Sequence, residues 1–455
     1  MTLHFLSLAR TTSPMRYMIY SSIFLLTVST ASANGLPKPL TDEDFPAVNM
    51  AEVELGRQLF WDPILSGNRN ISCGTCHHPK HGSGDGVALS LGEGGKGVGP
   101  QRVANPENLP EQHIPRNAPA IWNLGAKQWS VLFHDGRIEV DETRVGGLRT
   151  PLEDEMVAGF RDLLSAQTMF PVLSQDEMAG QYGENDVSRA VRLGVLTGEG
   201  GAWDVIADRV AAIDAYGEQF DAVYPNIADG EPIQFTDISN AISAFVAFEF
   251  RSDDSAFDAY LRGSKTLSAQ AVEGMQLFYG EAGCAACHSG QLLTDFDFHA
   301  MGDLQIGPGK GARFESHSRD IGRARVTNKD ADLYKFRTPS LRNVALNAPY
   351  GHAGVINDLT AYLKHHTAPR AGWAAFSRDA VEMPDLPGKP VFSIAEDAGE
   401  VDAILAAVEF EDRNLPDAQI DALAAFLESL TGEAALRGGR LGIPDSVPSG
   451  LPVDR

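Results

Sequence analysis

Each of the two cysteine pairs in the chain is followed at once by histidine: Cys73-Gly-Thr-Cys76-His77 and Cys284-Ala-Ala-Cys287-His288. Together they use all four cysteines. A redox dithiol does not need the trailing histidine, least of all twice, and a four-cysteine zinc site would leave both histidines unexplained. C-x-x-C-H is the attachment motif of c-type haem, in which two thiols add to vinyl groups and the adjacent histidine stands ready to ligate iron. Two motifs therefore predict two covalently bound haems.

The chain is loop-rich, with 45 glycines and 26 prolines among 455 residues, so haem must supply core that regular structure does not. Both halves follow one plan. Val53 to Trp61 reads as a helix before the first motif, a glycine-rich stretch runs from Gly82 to Gly99, and Asp237 to Phe250 shows helical spacing of apolar residues. Ser268 to Tyr279, capped by Ser268, precedes the second motif, and Asp417 to Leu430 closes the half. No strand alternation stands out. The expected class is mainly α: two cytochrome c-like haem domains, 34–263 and 264–455.

The N-terminus reads as a processing signal rather than a fold element. Arg16, the apolar run Met18 to Val28 and Ala31-Ser32-Ala33 form a charged, an apolar and a cleavage region, so 1–33 is predicted to be a signal peptide, with Met1 or Met15 as the start. The run is well short of the roughly 20 residues a membrane span needs. Export predicts a periplasmic protein. A formal charge of −24 disfavours nucleic acid or an anionic membrane face as partners and steers in a cationic one.

Function turns on whether each iron is closed by a sixth ligand or left open. No methionine lies between His78 and Glu155, which leaves His78, His81, His113 and His134 as first-haem candidates. Met301, His352, His365 and His366 are candidates for the second.

Five ordered segments carry a resemblance. They are Leu55-Gly-Arg-Gln-Leu-Phe-Trp-Asp-Pro-Ile-Leu-Ser66, Pro115-Arg-Asn-Ala-Pro119, Phe133-His-Asp-Gly-Arg137, Gly283-Cys-Ala-Ala-Cys-His-Ser-Gly290, and the run from Lys335 through Pro349-Tyr-Gly-His352 to Gly354. Spread over about residues 40 to 432, they resemble the bacterial di-haem cytochrome c peroxidase family, which includes MauG. The resemblance implies a peroxidatic first haem and a second haem that relays electrons, reducing hydrogen peroxide to water. It implies a small redox donor, a cytochrome or cupredoxin, or a protein substrate if the chain is a MauG-like oxidase; family members are often homodimers. A di-haem electron carrier without enzymatic activity is the remaining alternative.

By the same resemblance His366 is the sixth ligand of the second iron, where the family has methionine or tyrosine. Two imidazoles stabilise the ferric state and lower the potential. Glu93 stands where activated peroxidases place a removable distal histidine. Glu155, before Met156, matches the acid/base glutamate, with Pro151 crowding the distal side. His134 takes the position of an inter-haem tryptophan. Asn117 with the backbone oxygens of Asn347 and Pro349 matches a calcium site, and oxygen donors suit calcium.

Overall fold

The helix before the first motif forms over Met50–Trp61, one turn earlier than its apolar spacing suggests, because Asn49 caps it by accepting the Ala51 N–H. The computed structural model describes residues 35–155, 158–310, 318–388 and 390–455; the expected signal segment lies outside them. A short turn, Pro63–Leu65, leads to the one-turn helix Cys73–Cys76. The ring of Trp61 lies against Gly74 so closely that a Cβ there would collide with it. The closing helix of this half is Phe235–Glu249.

The second half repeats the plan. Ser268 accepts the Ala271 N–H at 3.1 Å and starts Ala269–Tyr279; the motif turn Cys284–Ala286 follows, and Asp417–Glu428 closes. In both halves the pre-motif helix crosses the closing helix at a glycine. A Cβ on Gly56 would strike the Ala241 carbonyl, and one on Gly274 the Ala422 carbonyl. Glycine therefore lets the two backbones meet.

Strands are two or three residues long: Gly95–Lys96 with Val103–Ala104, the antiparallel set Val131–Leu132, Ile138–Val140 and Leu148–Arg149, and Phe298–His299 with Phe336–Arg337. In the last pair Phe298 sits opposite Arg337. The mainly helical class expected from the sequence matches these elements.

Residues 34–455 form one compact unit. Its largest core gathers Leu55, Trp61, Phe245 and Phe250 of the first half; a second holds Phe278, Leu423 and Phe426; a third joins Ala88 and Leu89 to Leu304, Trp373 and Ile404. The chain end returns to the first half. Glu249 accepts the N–H groups of Arg440, Leu441 and Gly442, Asp62 accepts from Ser449 and Tyr216, and Asp454 accepts from Thr75 inside the first motif. Among the described residues no helix is long and apolar enough to cross a membrane.

Two candidate haem sites

The motif histidines are held alike. His77 donates Nδ1–H to the Ser83 carbonyl and His288 to the Leu293 carbonyl, both at 3.1 Å. Each bond fixes the tautomer and leaves Nε2 as the ligating atom. Burial holds His77 below its usual range and takes His288 down to about 4, so both rings are neutral, as iron ligation requires. The thiols argue in the same direction. Burial pushes Cys73 and Cys76 up to about 12 and Cys284 up to about 11, the opposite of an activated redox dithiol. Cys287, Asp295 and His299 do bring ligand atoms within 4.8 Å of one another, but a thioether to haem at Cys287 would take up that sulfur.

Across from His288 stands the ring of His366, 6.2 Å away between centroids. Two metal–nitrogen bonds of about 2 Å plus the two ring radii also span roughly 6 Å, so the rings stand one iron apart. His366 comes from the helix Leu359–Thr367, which Asp358 caps through the Ala361 N–H. Burial keeps it neutral. His365, one residue earlier, points elsewhere, against Gly372.

The first site differs. A pocket of about 480 Å³ is lined by Phe133, Pro151, Phe170, Glu177 and Lys310, among others. None of the lining groups is a histidine, methionine or tyrosine. Glu177, from the Gln175–Ala179 turn, is the carboxylate whose charge reaches His77 and Cys76. Glu155 instead lies exposed at the end of the turn Glu153–Glu155 and does not line the pocket. Glu155, expected at the acid/base position, is thus placed away from the pocket that Glu177 lines, and Glu177 also precedes a methionine, Met178. That second Glu-Met pair was the available sequence signal.

The profile of the di-haem cytochrome c peroxidase family matches residues 50–266. The chain is 29% identical over 332 residues to the methylamine utilization protein MauG of Methylorubrum extorquens, covering 72% of this chain and 69% of that one. It is 28% identical over 339 residues to cytochrome c551 peroxidase of Pseudomonas aeruginosa, covering 73% and 76%. The chain belongs to the bacterial di-haem cytochrome c peroxidase and MauG family. A solved MauG-like protein associated with microbial copper homeostasis superposes with a TM-score of 0.57 at 26% identity, covering 88% of this chain and 95% of that one. The di-haem peroxidase BthA of Burkholderia thailandensis shares the fold, with a TM-score of 0.53 at 20% identity over 90% of this chain and 91% of its own.

Within this family member the other expected site residues take definite places. Glu93 is buried, and its Oε1 accepts from the side-chain amides of Asn68, Asn70 and Asn108 at 2.8, 2.7 and 2.9 Å, so the carboxylate fastens loops together. His113 gives its Nε2–H to the Pro384 carbonyl, which commits the ring. His134 is driven down to about 3 by burial and by Arg116, Arg337 and His352 and stays neutral. Trp122 and Trp129 are core residues whose indole N–H groups bond the carbonyls of Gly82 and Asn123. Asn117 and Asn347 each tie the first half to the second: Asn117 N–H bonds the His352 carbonyl, and the Asn347 amide bonds the carbonyl of Gly82. The Asn117 amide nitrogen is committed to Val87 and Ala88, leaving its oxygen as the donor atom suited to calcium.

Proposed function

We propose that the protein is an exported, periplasmic di-haem peroxidase that reduces hydrogen peroxide to water, one haem being carried by each half of the chain. The observation that supports this most is the asymmetry of the two sites: His288 faces a second imidazole at iron-spanning distance, whereas the carboxylate whose charge reaches His77, Glu177, lines a pocket with no second imidazole among its lining groups. One closed and one open iron divide electron transfer from chemistry. Cys73, Cys76 and His77 would hold the first haem; Cys284, Cys287, His288 and His366 the second. When bound, haem supplies an iron that exchanges electrons and, where a position is open, accepts an oxygen donor.

The protein groups then have separate tasks. Glu177 takes a proton from the attacking peroxide oxygen and returns it to the departing one, so that two electrons and two further protons yield two waters. Phe133, Pro151 and Phe170 restrict the pocket to a small substrate. The electrons come from a small redox protein, for which the acidic surface favours a basic face. The calcium expected between Asn117 and the backbone oxygens of Asn347 and Pro349 would brace the junction of the halves, and a homodimer fits the family habit.

A MauG-like oxidase is the second reading, favoured by the likeness to MauG and by histidine at position 366, since two imidazoles lower the second potential and make it a poorer acceptor from a high-potential donor. Stopped-flow spectra with peroxide, with and without reduced cytochrome, separate the readings. A peroxidase turns over with the cytochrome. An oxidase reacts with peroxide but leaves the cytochrome unoxidised, and a carrier shows no reaction with peroxide.

A further inference from the structure

Beside the second site lies a polar cluster that this reading does not use. The Asp303 carboxylate accepts the Tyr362 hydroxyl at 3.2 Å, and His352 Nδ1 and His365 Nε2 stand 3.7 and 3.9 Å from its two oxygens. Its side chain is 15% exposed. Tyr362 in turn places its ring 5.5 Å from the ring of His366. Burial pushes the carboxyl up, but the close approach of His352 and the neighbouring imidazoles of His365 and His366 outweigh it and hold the group below the usual carboxylate range. No lysine or arginine is paired with it among the described residues. An ionised carboxylate therefore sits in a low-dielectric wall beside the sixth ligand, with no permanent cation to cancel its field.

We propose that Asp303 is a positioning residue that sets the redox balance of the second haem, its fixed negative charge acting through Tyr362 and His366 to favour the oxidised iron. A charge in such a wall is felt far more strongly than in water, and carboxylates behind an imidazole ligand raise its basicity. Reduction places one more electron on the haem, next to a charge of the same sign. The second haem is thus kept a willing donor toward the first site. The inference rests on His366 ligating this iron, and so deepens the reading above.

Potentiometric titration of the holoprotein, followed in the visible bands of each haem, tests it. Asp303→Asn should shift the second midpoint upward, leave the first midpoint in place and retain the low-spin spectrum of the second haem; Asp303→Glu should return the midpoint toward wild type. An unchanged second midpoint in Asp303→Asn overturns the proposal. Loss of the low-spin spectrum in both variants also overturns it, because the carboxylate would then build the site rather than tune it. The wild-type spectrum reports His366 ligation independently, so a failure of that assignment is seen before either variant is made.

Discussion

Glu155 and Glu177 each precede a methionine, and only depth within the fold separates them. Met178 is buried at 4% exposure in the largest core and anchors the turn that aims Glu177 into the pocket. Glu155 has no such anchor among the described residues and faces solvent. Glu177→Gln should therefore retain both haems yet slow peroxide consumption by about 10²–10⁴-fold, the usual loss for an acid/base group, while Glu155→Gln stays within severalfold of wild type. Stopped-flow absorbance of the two variants side by side decides between them, and the reverse ranking would restore Glu155. The motif cysteines and histidines were legible because their chemistry demands fixed spacing. A dipeptide has no such demand, so sequence could not rank two Glu-Met pairs. Residue chemistry alone left Met301, His352, His365 and His366 open; the family resemblance singled out His366, whose ring stands 6.2 Å from that of His288. His366→Ala should convert the second haem from a low-spin bis-imidazole spectrum to an open one and leave the first unchanged, as read by visible and paramagnetic resonance spectra. A thioether band in the near infrared of the wild type would reject this ligand.

At the scale of elements, the helices show which signals survive folding. Ser268 was readable as a cap because its side chain meets the Ala271 N–H just where the apolar spacing begins. The closing helix of the first half starts at Phe235, ahead of the expected Asp237. Asp237 is the third helical residue, and its carboxylate accepts the Gln234 N–H. The short strands left no trace, since two or three residues are too few to show alternation. Nor did the crossings at Gly56 and Gly274. A mid-helix glycine reads as a loss of about 1 kcal/mol against alanine, and nothing local reveals the carbonyl waiting opposite. Gly274→Val should force the Ala269–Tyr279 and Asp417–Glu428 helices apart. The expected loss is about 1–3 kcal/mol or more, the range for overpacking, seen as a lower Tm of the holoprotein. A Tm equal to wild type would mean that the crossing relaxes freely.

On the scale of the whole molecule, the two halves are joined by charge as well as by apolar packing. Arg116, from the first half, bonds Asp135 of the same half at 2.8 Å and Asp320 of the second half at 2.6 and 2.8 Å. All three side chains are at most 7% exposed. Burial alone would raise both carboxyls. The guanidinium outweighs it, holding Asp320 down at about 2 and Asp135 well below the carboxylate range, although Asp135 also keeps Arg137. A carboxyl whose folded value lies below its unfolded one adds stability above the unfolded value of about 4, and that stability is lost as pH falls toward the folded value. Arg116→Met strips the cation and leaves two buried carboxylates, one without any guanidinium. The expected cost at neutral pH is about 3–5 kcal/mol, as for breaking a buried pair by removing one partner. The same substitution reverses the linkage at Asp320, because burial without a cation raises its value. Below pH 4 the variant can then protonate this group in the folded state while wild type is losing its pairs. The Tm gap between wild type and Arg116→Met should therefore be widest near pH 7 and narrow steadily as pH falls from about 4 toward about 2. Thermal unfolding of the two holoproteins across that range measures it, and a gap that stays constant or widens in acid would show that Arg116 joins the halves by packing rather than by charge.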